Sequence, residues 1–115
     1  MVVGESSLGG GSVWHAFRWT AATGMEDLGA LPGITHSTAT DVSDDGALVV
    51  GYAFAPSYRA FVWDRVHGMR PLQEFLSAAG VDVAGWSFSD VNAISGDGRV
   101  LVGDGEPGAW MARLP

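Results

Sequence analysis

Residues 43–63 read SDDGALVVGYAFAPSYRAFVW and contain the pattern that decides the fold of this chain. A Ser-x-Asp-Gly sequence leads into Val-Val-Gly, and Ala-Phe-x-Trp follows after a short link. The pattern occurs nearly three times in the 115-residue chain. The Val-Val-Gly step at residues 49–51 has counterparts at residues 2–4 and 101–103. Self-similarity at a spacing of 44 to 52 residues indicates a repeat architecture.

The segments between the turn residues predict β-strands. Short runs rich in Val, Phe and Trp suit a pleated, packed surface, and 17 Gly and 5 Pro separate them. The complete copy contains four predicted strands, at 38–42, 47–52, 59–63 and 69–72. Four strands in about 45 residues is the size of a β-propeller blade. We therefore predict an all-β repeat domain over 1–115, with a partial blade at 1–36, a full blade at 37–85 and a partial blade at 86–115.

The Ser-x-Asp-Gly motifs at 43–46 and 95–98 predict tight hairpin turns, because each ends on a Gly that tolerates positive φ. A calcium-binding loop is the alternative. That loop needs oxygen ligands at fixed positions, whereas the stretch from Asp90 to Ile94 has an apolar residue where the third ligand belongs. The motifs therefore favour structural hairpins.

The third strand of the full copy is apolar on both faces. Phe61 and Trp63 share one face, and Ala60 and Val62 share the other, as expected for a blade packed between neighbours. We expect the tryptophans of the three copies to lie in the core: Trp19, Trp63 and Trp110. In the long link that follows the fourth strand, apolar residues at helical spacing and a Gly at the stop position predict a short helix near 73–80.

The expected strands number three, four and three, which is not a whole number of four-stranded blades. Such a chain exposes unpaired strand edges and apolar blade faces. We therefore expect it to self-associate or to pack against missing blades of a longer parent. Met1 falls directly on the Val-Val-Gly step, which predicts a truncation or an internal start within that parent.

Composition excludes several classes of function. With 6 Lys+Arg against 13 Asp+Glu, the net charge of −7 repels nucleic acid and anionic membrane surfaces. No apolar run is long enough for a membrane-spanning helix. The absence of Cys excludes disulfides, Cys-ligated metal sites and thiol nucleophiles. We expect no cofactor.

Several motifs together resemble the HAF repeat of bacterial, mostly exported proteins, which is named for its His-Ala-Phe triplet. The motifs are the Val-Val-Gly step and the segments 15–19, 24–29 and 31–33, while residues 85–115 resemble the closing part of such proteins. The resemblance implies propeller-like blades, a location in the periplasm or outside the cell, and no established catalytic residues. His15 of the triplet is replaced by Arg59 and Gly108 in the other copies.

The link between the second and third strands varies from eleven to eight to five residues between copies, and variable loops are where repeat proteins place recognition. Trp14 and His15 end the first such link, and Tyr58 and Arg59 end the second. Aromatic rings beside polar groups bind sugars or protein partners. Trp86 in the long link is a further candidate. The alternative is that these rings pack against the rim of an adjacent blade.

Other chemistry has weaker support. The three His lie at different places in the repeat, so the sequence predicts no metal site. Residues 9–12, Gly-Gly-Gly-Ser, lack the Lys of a phosphate loop and predict a flexible link. We expect a non-enzymatic structural or interaction module for protein or glycan. The alternative is part of a secreted propeller hydrolase that uses acidic residues.

Overall fold

A computed structural model describes residues 1–7, 14–29, 31, 36–54 and 57–115 of the chain. The first sheet joins three antiparallel strands in the order of the sequence. They are β1 (Val2–Ser7), β2 (Trp14–Thr20) and β3 (Gly24–Asp27). The glycine-rich link predicted at residues 9–12 lies outside the described residues.

The second sheet is the complete four-stranded unit that the repeat predicts. It is an antiparallel meander of β4 (His36–Val42), β5 (Val49–Phe54), β6 (Tyr58–Asp64) and β7 (Gly68–Pro71). Each strand overlaps its predicted segment. A register shift between Ala39 and Asp41 interrupts the pairing of β4 with β5.

A helix and short strands complete the described chain. Helix α1 (Leu72–Ala78) confirms the helix predicted near 73–80, and its buried residues Leu72 and Leu76 lie one turn apart. The strands after it are β8 (Ser87–Phe88), β9 (Ala93–Ile94), β10 (Val100–Gly103), β11 (Gly105–Glu106) and β12 (Trp110–Arg113). In the third sheet β10 lies between β9 and β12, while β8 and β11 form a separate two-stranded ribbon. Within the described residues, no helix has the length and apolar character needed to cross a membrane.

The two Ser-x-Asp-Gly motifs form the same hairpin turn. In each, the Gly N–H donates to the Ser carbonyl, at 2.9 Å from Gly46 to Ser43 and 2.8 Å from Gly98 to Ser95. The Ser hydroxyl donates to the Asp two residues later, and both Gly have positive φ, 74° and 77°. In both turns Oδ1 of this Asp also accepts a backbone N–H from two residues further on, and the predicted hairpins are confirmed.

The second sheet is packed on both faces, as the apolar third strand predicts. Phe61 and Trp63 contribute to the core shared with the first sheet, which includes Ala16. Ala60 and Val62 contribute to a second core, which also contains α1 and the third sheet. The three sheets therefore stack in the order of the sequence, with the complete sheet in the middle.

Hydrogen bonds also join the second sheet to the third. The Thr40 hydroxyl donates to the carbonyl of Val91. The Ile94 N–H donates to Asp41 Oδ2 at 2.9 Å, and the Asp44 N–H donates to the Gly96 carbonyl at 2.9 Å. Each contact joins nearly equivalent positions of two successive repeats. Together they hold the second and third sheets against each other beside the second core.

The Gly of each Val-Val-Gly step lies against the ring of the Ala-Phe-x-Trp motif on the next long strand. A Cβ on Gly51 would meet the Phe61 ring at 3.0 Å and the carbonyl oxygen of Thr38 at 2.0 Å. The same glycine–ring contact occurs in all three copies: Gly4 with Phe17, Gly51 with Phe61, and Gly103 with Trp110. The pattern is therefore explained by close packing between strands.

Two expectations require correction. Trp63 and Trp110 are buried, but Trp19, which was expected in the core, is exposed. Its strand belongs to the first sheet, and the face of that sheet that bears Trp19 has no described neighbour. Ten strands were expected, and the three sheets contain three, four and three, but the described residues also include the ribbon of β8 and β11.

Candidate functional site

The structure brings Trp14 and Tyr58, the aromatic residues that end the two variable links, to one open cavity of about 250 Å³. We call it the aromatic cleft. Its principal lining residues are Glu5, Trp14, His36, Tyr52, Phe54 and Tyr58. Two sheets contribute to it, because Glu5 and Trp14 come from the first sheet and the other residues come from the second.

Strand register in the second sheet places four of the rings together. His36 pairs with Phe54, and Phe54 pairs with Tyr58, so these three residues form one cross-strand row. Tyr52 lies two residues before Phe54 and shares its face. The ring centroids of Tyr58 lie 4.8 Å from Phe54 and 5.3 Å from Tyr52. The result is a continuous aromatic surface at the end of the sheet.

Trp14 reaches this surface from the first sheet. Its ring meets the His36 ring edge-on, with 4.0 Å between the centroids. The Ala16 N–H donates to Ser37 Oγ at 2.8 Å, and the Ser37 hydroxyl donates to the Gly29 carbonyl at 2.6 Å. Because Ser37 is buried, these bonds hold the start of β2 firmly against β4 and thereby fix the position of Trp14.

The polar groups that line the cleft include a carboxylate and a hydroxyl that are hydrogen-bonded to each other. Thr38 Oγ1 donates to Glu5 Oε2 at 2.7 Å, across the boundary between the two sheets. This bond orients the carboxylate, whose other oxygen lone pairs can accept hydrogen bonds from a ligand. The exposed rings of Phe54 and Tyr58 lie at the same opening. The cleft thus offers flat apolar surfaces next to an oriented acceptor.

The other predicted site residues lie elsewhere. His15 Nδ1 is 2.9 Å from Asp27 Oδ1, on the opposite face of β2 from Trp14. Arg59 is exposed and lines a neighbouring cavity of about 350 Å³. Trp86 lines a third cavity, of about 280 Å³, which includes Trp110. The structure therefore unites Trp14 with Tyr58 in the aromatic cleft, which His15, Arg59 and Trp86 do not line, while Tyr58 also lines the cavity of Arg59.

The neighbouring cavity has a repeat relationship to the aromatic cleft. It lies between the second sheet, α1 and the ribbon, and Tyr58 and Phe88 line it. In the alignment of the copies, Tyr58 corresponds to Trp14 and Phe88 corresponds to His36. The same arrangement therefore occurs at both junctions between successive units. Trp14 and His36 line the cavity at the first junction, and Tyr58 and Phe88 line the cavity at the second.

Ionisable groups with altered pKa values form structural contacts at some distance from the rings. Burial raises the pKa of Glu26, but a hydrogen bond from Thr23 and the charges of Arg65 and Arg18 outweigh this and hold it below its usual value. Arg18 lies 2.6 Å and Arg65 lies 3.2 Å from Glu26, so this triad ties the first sheet to the turn after β6. Within the described residues, no group of three or more His, Asp or Glu could hold a metal ion.

Sequence reasoning missed most of the cleft: Glu5, His36, Thr38, Tyr52 and Phe54. These residues do not end the variable links, and they reach Trp14 and Tyr58 through strand pairing and through the packing of the first sheet against the second. One signal was present in the sequence. Antiparallel pairing of the two apolar segments before and after the Ala-Pro sequence places Phe54 opposite Tyr58 and brings Tyr52 to the same face.

No protein-family model matches the sequence, and no curated protein or solved structure matches it significantly.

Proposed function

We propose that this chain is a non-enzymatic repeat module of the β-propeller type that binds carbohydrate at the aromatic cleft. One observation carries the proposal: Trp14 and Tyr58, which hold equivalent positions in successive repeats, line the same cavity with three other rings and an oriented carboxylate. The resemblance to exported bacterial repeats supports a role in the periplasm or outside the cell. The burial of both faces of the second sheet supports blade-like stacking.

The chemistry of the cleft suits a sugar ring. The C–H face of a pyranose is flat and apolar and stacks on aromatic rings, while its hydroxyl groups require acceptors such as the Glu5 carboxylate. Exposed rings bind such ligands with little loss of side-chain entropy because they have few rotatable bonds. A volume of about 250 Å³ is small for a ligand pocket and suits one residue of a longer glycan.

Binding to a panel of bacterial and plant polysaccharides and their oligosaccharides tests the proposal. For a bound glycan, Trp14→Ala and Tyr58→Ala should each lower the affinity about tenfold or more, which corresponds to about 1.4 kcal/mol. The measurement is isothermal titration calorimetry on variants whose circular dichroism matches that of the wild type.

Trp86→Ala is the matched control, because it removes a similar exposed ring from a different cavity. It should leave glycan affinity unchanged. The proposal is wrong if no glycan binds, or if Trp14→Ala and Tyr58→Ala bind as well as the wild type. Turnover of the bound glycan would contradict its non-enzymatic part.

A further inference from the structure

The outer face of the first sheet carries a row of exposed apolar side chains beside the hydrogen-bonded pair of His15 and Asp27. Val2 pairs with Trp19, and Trp19 pairs with Met25, so the three side chains form one cross-strand row. They are 51%, 40% and 60% exposed, respectively. With the half-buried Phe17 on the same face, they define what we call the N-terminal face.

The second sheet repeats this row and buries it. Val49 pairs with Trp63, and Trp63 pairs with Met69. Val49 is 0% and Trp63 is 8% exposed, and Met69 packs against the same core. The residues that cover this row include Val3 and Ala16 of the first sheet. The same Val-Trp-Met row is thus exposed in the first sheet and buried in the second.

The last sheet has the complementary outer face. Val102 pairs with Met111, and these residues are 36% and 65% exposed. They define the C-terminal face. Their counterparts in the second sheet, Val50 and Val62, pair in the same way but are only 0% and 1% exposed. The third sheet covers that inner pair.

Two contacts join successive sheets inside the chain. In each, the surface equivalent to the C-terminal face packs against the surface of the next sheet that is equivalent to the N-terminal face. Among the described residues, no sheet packs on the N-terminal face or on the C-terminal face. A second molecule of the chain suits both faces, because the C-terminal face is the repeat counterpart of the surface that covers Val49, Trp63 and Met69 inside each molecule.

We propose that the chain associates head to tail, with Val102 and Met111 of one copy packed against Val2, Trp19 and Met25 of the next. The interface is heterologous, since two different surfaces meet, and it continues the stacking found inside each copy. It leaves the aromatic cleft outside the contact and does not depend on the function proposed for that cleft. Burial of these apolar side chains drives the association.

Two variants, each with one blocked face, test the proposal by sedimentation velocity. Met111→Lys blocks the C-terminal face and Trp19→Lys blocks the N-terminal face, because an unpaired ammonium group is costly to bury. The wild type should form concentration-dependent oligomers, and each variant alone should be monomeric. An equimolar mixture should form a one-to-one dimer and nothing larger, since each variant retains the face that the other lacks.

Val66→Lys is the matched control, since Val66 is an exposed apolar residue in the turn after β6 and belongs to neither face. It should oligomerise like the wild type. Circular dichroism and thermal unfolding establish that all variants are folded. A monomeric wild type, or single variants that oligomerise normally, would overturn the proposal. A mixture that remains monomeric would overturn the head-to-tail arrangement. Self-association of only one of the two variants would also overturn it, because that result indicates a symmetric contact between two identical faces.

Discussion

The glycine of the Val-Val-Gly step shows how one residue sets the spacing between elements. At Gly51 an added methyl group would meet backbone on one side and the Phe61 ring on the other. Backbone atoms cannot move aside as the end of a flexible side chain can. The Gly is therefore required by the closeness of β4 to β5, and its φ lies outside the left-handed region.

Gly51→Ala should destabilise the fold by about 3 kcal/mol, because the methyl group overpacks the core. Gly4→Ala is the matched control at the equivalent position of the first repeat. There the nearest atom to an added Cβ is a Phe17 ring carbon at 3.2 Å, and the edge of that ring can shift, so we expect a loss of about 1 kcal/mol or less. Urea unfolding followed by circular dichroism measures both values, and equal losses would contradict this account.

At the scale of elements, the two Ser-x-Asp-Gly turns are acid-sensitive parts of the fold. The N–H of Ala47 and the Ser43 hydroxyl hold the pKa of Asp45 below its usual value. The Ser95 hydroxyl and the N–H of Arg99 do the same for the pKa of Asp97. A carboxyl whose pKa is lower in the folded state stabilises the protein above its unfolded pKa of about 3.9. That stabilisation is lost as the pH falls through the folded pKa.

The free energy of unfolding should therefore fall below about pH 4 in the wild type and fall less steeply in Asp97→Asn, which has no carboxyl to protonate at this position. Urea unfolding across acidic and neutral pH measures the difference. In Ser95→Ala, an NMR titration should place the pKa of Asp97 closer to its usual value, because the hydroxyl donor is gone. Identical pH profiles for the wild type and Asp97→Asn would show that the turn does not contribute.

Elements with a recurring or periodic pattern could be predicted from the sequence, whereas very short elements could not. Strands β4 to β7 were predicted because the aligned copies share their turns and apolar positions, and α1 was predicted because Leu72 and Leu76 lie one turn apart. The ribbon of β8 and β11 was not, since two residues are too few to show a period. The cleft was found only in part because Phe54 and Tyr52 join Tyr58 through strand register.

At the scale of the whole molecule, position in the stack decides burial. Trp19 and Trp63 hold the same place in the repeat, yet one is exposed and the other is buried. The difference arises because the second sheet has a neighbour on each face and the first sheet has a described neighbour on only one. The repeat pattern identifies which faces are apolar but not which of them a neighbour covers.

Head-to-tail association should strengthen as salt is added, because each copy carries a net charge of −7 and salt screens the repulsion between copies. An interface dominated by ion pairs would weaken instead. Sedimentation equilibrium at low and high concentrations of sodium chloride distinguishes the two cases. Met111→Lys should remain monomeric at both concentrations, and oligomers that dissociate with salt would contradict an apolar contact.

The aromatic cleft has a mechanical consequence. Trp14 belongs to the first sheet and Tyr58 to the second, so the cleft exists only while these sheets stay in contact. A pulling force that separates the sheets moves Trp14 away from His36 and breaks the hydrogen bond from Thr38 to Glu5. A ligand that bridges the cleft resists that separation. Occupancy of the cleft and resistance to tension along the stack are therefore coupled.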